Sequence, residues 1–141
     1  MPRWLAWIIA LLLTPVYLIW FVVRELRNPT VLFPCPCCGF ETIRDPGSHE
    51  NCHICWWEDD GQDNQNANVV MGGPNYDLSL TRARINFLKH GISDPTRGDL
   101  REFQASPEYY AKAREFVLDD TGDAVFEPAT GWRGSLADEE E

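Results

Sequence analysis

From residue 4 to residue 23 the chain is apolar on every face: these positions carry no charge, and Thr14 is the only small polar side chain among them. A helix rises about 1.5 Å per residue, so the run spans roughly 30 Å, the thickness of a bilayer core. Trp4 and Trp7 lie towards one end and Tyr17 and Trp20 towards the other, where amphipathic rings favour the headgroup level; Arg3 and Arg24 bracket the run. Pro15 would kink such a helix without preventing insertion. A cleaved signal peptide has a shorter apolar stretch and a small-residue cleavage site, which the following Arg24-Glu25-Leu26-Arg27 does not supply. The pattern predicts a retained single-pass transmembrane anchor within residues 1–27.

Beyond the anchor, apolar positions come in short groups separated by Gly, Pro, Asn and Asp. Leu80, Ala83, Phe87 and Leu88 fall at i, i+3, i+7 and i+8, with Ser79 as N-cap and Gly91 as stop. This predicts an amphipathic helix with Arg82, Arg84 and Lys89 around its other faces. Ser106-Pro107-Glu108 signals a second helix, with a cap, a proline in the first turn and an acid at the positive end. It is expected to run to about Val117, offering Tyr109, Tyr110, Ala113, Phe116 and Val117 for packing. Residues 119–141 hold eight acids and only Arg133, which predicts a largely flexible tail in which Val125, Phe126 and Trp132 are the exceptions.

The cysteines change the picture. Cys35-Pro36-Cys37-Cys38-Gly39 is followed by Cys52-His53-Ile54-Cys55, so Cys35, Cys38, Cys52 and Cys55 form two C-x2-C pairs at metal-site spacing. Two residues between thiols let a tight turn aim both sulfurs at one ion, and Gly39 permits a left-handed turn after the second. Residues 40–51 are long enough for a strand, a turn at Asp45-Pro46-Gly47 and a return. Two facing knuckles make a zinc ribbon with four thiolate ligands on a structural Zn²⁺. Zinc is preferred over disulfides or a redox dithiol, since five cysteines leave one over and no thioredoxin-like pattern surrounds them, and over iron, which suits the same ligands. Cys37 is read as a small buried residue, and His49 and His53 as lying outside the ligand set.

The string Cys35-Pro36-Cys37-Cys38-Gly39-Phe40, then Cys52-His53-Ile54-Cys55-Trp56-Trp57-Glu58-Asp59-Asp60-Gly61, then Gly72-Gly73-Pro74-Asn75 and Leu78-Ser79-Leu80 with Asn86-Phe87, resembles the cysteine-rich CPCC family of small bacterial proteins. The resemblance covers about residues 31–93. It implies a zinc-ribbon-type fold and carries no activity with it. The chain departs from the family by its hydrophobic N-terminal helix, by a longer acidic C-terminal part, and by His53, where proline is usual.

The expected architecture is therefore small α+β: a zinc-ribbon-like domain over residues 28–93, a helical extension over 94–118 and the acidic tail 119–141, preceded by the transmembrane helix. The whole chain carries a formal charge of −10, and the part beyond residue 27 holds nine basic and 21 acidic side chains, or −12. Such a surface excludes nucleic acid as partner, because phosphate binding rests on Lys and Arg. The acidic turn Glu58-Asp59-Asp60-Gly61-Gln62-Asp63 lacks the alternation of a calcium loop and reads as a solvated turn. The function expected is a membrane-anchored zinc-binding protein that engages another protein. An immunity-type inhibitor of a basic toxin is the alternative. Enzyme chemistry ranks last, either thiol redox at Cys35, Cys37 and Cys38 or hydrolysis at Glu58, Asp59 and Asp60, and no catalytic residue is nominated. Thiolate ligands and the arginines after the anchor both favour a cytoplasmic ribbon.

Overall fold

The computed structural model describes residues 15–24 and 30–139. The chain divides into two units, Met1–Val31 and Leu32–Glu141. In the first, residues 15–24 form helix α1, whose apolar side chains from Val16 to Val23 are 37–67 % exposed. Residues 4–14 of the expected membrane span lie outside the described residues. Among the described residues, no helix is long and apolar enough to cross a membrane.

The second unit is small and α+β. Strands β1 (Phe33–Pro34) and β2 (Glu41–Ile43) pair antiparallel around the first cysteine turn. The second cysteine turn is closed by a bridge between Asn51 and Glu58. Helix α2 (Leu80–His90) follows its local signals: Ser79 Oγ accepts from Arg82 N at 3.0 Å, and Gly91, at φ 75°, donates its N–H to Phe87 O at 2.8 Å. Leu80 and Ala83 are buried as the spacing predicts. Arg84, predicted on a polar face, is also fully buried.

The second predicted helix does not form. Only Pro107–Tyr109 makes a 3-10 turn, and Ser106 provides no side-chain cap. The chain instead runs extended past the first cysteine turn, with Glu41 N donating to Ala111 O at 2.8 Å and Ala113 N to Gly39 O at 3.0 Å. Pairing with a metal knuckle overrides a local capping signal here, as tertiary contacts routinely override propensity.

The expectation of a flexible tail is also corrected. Strands β3 (Val117–Leu118), β4 (Ala124–Glu127) and β5 (Trp132–Ser135) form an antiparallel sheet in that order. Its acids have structural work. Asp119 Oδ1 accepts from the N–H groups of Gly122, Asp123 and Ala124 at 2.8–3.2 Å, building the β3–β4 turn. The sheet lies on α2, where Val125 meets Ile85 and Phe116 in a second apolar cluster. Burying side chains such as Val125 and Ile85 contributes roughly 1.5–3 kcal/mol each, which offsets the entropy of ordering an acidic segment. Gly134 permits the close approach: a Cβ there would lie 2.6 Å from Thr81 Oγ1.

Candidate metal centre

The two cysteine turns have the same backbone bonding. Cys35 N donates to Phe40 O at 2.8 Å and Gly39 N to Cys35 O at 2.9 Å; Cys52 N donates to Trp57 O at 2.9 Å and Trp56 N to Cys52 O at 2.8 Å. Each turn closes through a left-handed residue, Gly39 at φ 81° and Trp56 at φ 64°. Glycine is required at the first, because a Cβ on Gly39 would lie 2.0 Å from Arg114 O.

This geometry brings Cys35, Cys38, Cys52 and Cys55 together, with all four sulfurs within 4.8 Å of one another. Cys35 and Cys55 are separated by 3.7 Å between sulfurs, and Cys38 and Cys52 by 3.6 Å. Four sulfurs placed about 2.3 Å from one tetrahedral ion stand about 3.8 Å apart, so the cluster fits a metal of that size. All five cysteines are free and buried, so no disulfide competes for these sulfurs.

The electrostatics agree. Burial pushes the Cys35, Cys38 and Cys55 thiols well above their ordinary range. Hydrogen bonds from Cys35, Cys38 and Cys55 pull Cys52 far below it, with help from Thr42, whose Oγ1 stands 3.1 Å from Cys52 Sγ. Four thiolates cannot share so small a dry volume without a cation among them. The four cysteines are thus positioned to bind a metal ion.

The other sequence candidates fall outside the cluster. Cys37 is buried but not part of the four-sulfur group. His49 is 2.9 Å from Glu58 Oε1, and His53 is exposed. The carboxylates of the acidic turn are used locally. Asp59 accepts from Gly47 N at 2.8 Å and Gly61 N at 3.2 Å, and Asp60 accepts from Gln62 N at 3.0 Å and from Asn75 Nδ2 at 3.2 Å.

What the sequence reasoning missed is a buried polar network beside the first turn. The Arg84 guanidinium sits between two aromatic rings, 4.2 Å from the Phe116 centroid and 4.3 Å from that of Trp132. Its Nε donates to Pro36 O at 2.8 Å and its Nη1 to Asn64 Oδ1 at 2.8 Å, while Asp63 lies 3.3 Å from Nη2. Burial lowers its pKa to about 10, which leaves it charged at neutral pH. Arg114 joins Asp63 at 2.9 Å to the buried Glu127 at 2.6 Å. One signal was available: Arg84 is four residues after Leu80, on the stripe of Leu80, Ala83 and Phe87.

Hydrogen bonds from Arg114, then from Asn64 and Thr130, lower the Glu127 pKa from 4.5 to about 2. A depressed carboxylate stabilises the fold above its unfolded pKa and loses that contribution as pH falls through its folded pKa. The shift corresponds to on the order of 3 kcal/mol at neutral pH. Stability should therefore fall between pH 4.5 and 2. Urea titrations of wild type and Glu127→Gln across this range should differ in slope, with the variant less stable at pH 7 and flatter in acid. Parallel curves would remove Glu127 from the account.

In comparison with known proteins, residues 33–106, about half of the chain, fit the family described as Cysteine-rich CPCC. No curated protein and no solved structure matches it. With both C-x2-C turns formed and their four sulfurs gathered, the chain belongs to the cysteine-rich CPCC family.

Proposed function

We propose that this is a membrane-anchored zinc protein whose ribbon domain engages another protein on the cytoplasmic side. The observation that carries the reading is the closed cluster of Cys35, Cys38, Cys52 and Cys55. A four-thiolate shell suits zinc held for structure and leaves no coordination position for a substrate. No catalytic role is assigned, and the burial of the thiols argues against redox exchange with a partner. The anchor is supported by the uncharged run over residues 4–23 and by the exposed apolar side chains of α1. The charge of −12 beyond residue 27 favours a basic protein partner, of which a toxin held by an inhibitor is the narrower case.

Two measurements on the full chain test the reading. Elemental analysis of protein purified in detergent should give one zinc per chain, and iron or no metal would replace or remove the proposed cofactor. Cell membranes should retain the chain through alkaline carbonate washing. Release into the wash would remove the anchor while leaving the metal centre intact.

A further inference from the structure

Strand β2 carries Thr42 at its centre, with Glu41 half-buried before it and Ile43 buried after it. Thr42 is itself buried, and its Oγ1 stands 3.1 Å from Cys52 Sγ. The contact crosses between the two cysteine turns, since Thr42 follows the first and Cys52 opens the second. Among the described residues, no other side chain outside the cysteines makes a hydrogen bond to one of the four sulfurs. A thiolate ligand has no proton to give, so the hydroxyl is the donor. The other acceptor in its reach, Phe40 O, stands at the limiting distance of 3.5 Å and already takes the Cys35 N–H at 2.8 Å. Distance thus assigns the hydroxyl proton to the sulfur.

The strand and its packing would be served as well by valine, which has the same shape, favours strands as strongly, and brings no hydroxyl to be desolvated. The chemistry of the metal centre supplies the use for the oxygen. Four thiolates around a divalent ion keep two formal negative charges in a buried interior. The short sulfur contacts of the cluster are with one another, Cys35 with Cys55 and Cys38 with Cys52, and these relieve none of that charge. A hydroxyl directed at one sulfur draws charge from it without adding a competing ligand.

We propose that Thr42 is a positioning residue of the metal centre: its hydroxyl holds the Cys52 sulfur in place across the two turns and biases the site towards a divalent ion. The inference rests on the reading of the cluster as a zinc centre and names a residue outside the ligand set that serves it. The bias follows from charge. A divalent ion leaves the four-thiolate shell one unit more negative than a trivalent ion does, so a donor on sulfur stabilises the divalent form more. Hydrogen bonds to sulfur tune the reduction potentials of cysteine-ligated iron centres through the same effect.

The test uses the full chain in detergent micelles, with Thr42→Val removing the hydroxyl at constant shape and Thr42→Ser returning it. Zn²⁺, Co²⁺ and iron are each loaded alone. Competition with a chelator should show Thr42→Val binding Zn²⁺ roughly tenfold more weakly than wild type, the lower end of what losing an outer hydrogen bond costs a metal site. In the cobalt-loaded variant the sulfur-to-cobalt charge-transfer band should move to lower energy, because a sulfur without its donor gives up an electron more easily. In the iron-loaded variant the ferric–ferrous potential should fall. Thr42→Ser should restore all three. Weaker zinc binding with an unmoved band and potential is a packing effect and overturns the proposal. A potential that rises in Thr42→Val, or that stays shifted in Thr42→Ser, overturns it as well. Metal content of the wild type separates the two levels: a wild type that holds one zinc, with variants matching it in band and potential, rejects the role of Thr42 alone, whereas a wild type that takes up no zinc rejects the parent reading together with this one.

Discussion

Cys52→Ser should leave residues 32–139 without a cooperative fold. Cys52 is one of the four gathered sulfurs, lies 3.1 Å from Thr42 Oγ1, and is fully buried. A structural metal site of four thiolates, zinc in the proposed reading, contributes on the order of 10 kcal/mol of apparent binding energy. A domain of this size has a total stability of about 5–15 kcal/mol, so losing the site removes most or all of it. Loss of chemical-shift dispersion and of a sigmoidal thermal transition would report the effect, and a strong chelator added to wild type should reproduce it. Cys37→Ser is the control. It lies outside the four-sulfur group and should cost only about 1–3 kcal/mol for a buried hydroxyl, with metal content unchanged. If Cys52→Ser kept the wild-type melting temperature, the ribbon would not be the source of stability.

Arg84→Ala should be the most damaging substitution away from the cysteines. The guanidinium is fully buried, stacked between Phe116 and Trp132, and hydrogen bonded to Pro36 O and Asn64. Its removal leaves a buried carbonyl without its donor, a void between two rings, and Arg114 alone to neutralise Asp63 and Glu127. Breaking such a buried arrangement costs about 3–5 kcal/mol. Urea denaturation of the metal-loaded protein measures it. Arg84→Lys should recover less than half of the loss, since an ammonium has neither the planar fork nor the stacking face. A loss of under about 1 kcal/mol in the alanine variant would mean that the network is solvated rather than structural.

The legible parts of this fold were those written in local, short-range chemistry. Two C-x2-C pairs identified the sulfurs that come together, because a tight turn has only one way to aim both at an ion. Ser79 and Gly91 bounded α2 because capping is a matter of a few adjacent atoms. The failures share a cause in long-range pairing. Residues 107–117 carry a helix start, yet their backbone partners are Gly39 and Glu41, far back in the chain. The acidic C-terminal segment looked too polar to fold, but Asp119 is consumed by a turn and Glu127 by Arg114. Charge counting treats each carboxylate as free, and these two are held by hydrogen bonds within the fold. Arg84 was misplaced for the same reason: its charge argued for water, while its position on the Leu80 stripe argued for the interior, and the partners that settle the conflict lie in other segments.

The stacking of Arg84 also sets an order of assembly. During synthesis the four cysteines leave the ribosome first, then Arg84, then Phe116, and Trp132 last. Pro36 O and Asn64 are available to the guanidinium early, but the second ring that shields it arrives only with β5. Until then a nascent chain can hold its cysteine turns together while one side of the arginine still faces water. Completion of the core is thereby deferred to the final hairpin, so a ribosome stalled before Trp132 would present a ribbon that is metal-competent but unfinished, and open to quality control along α2.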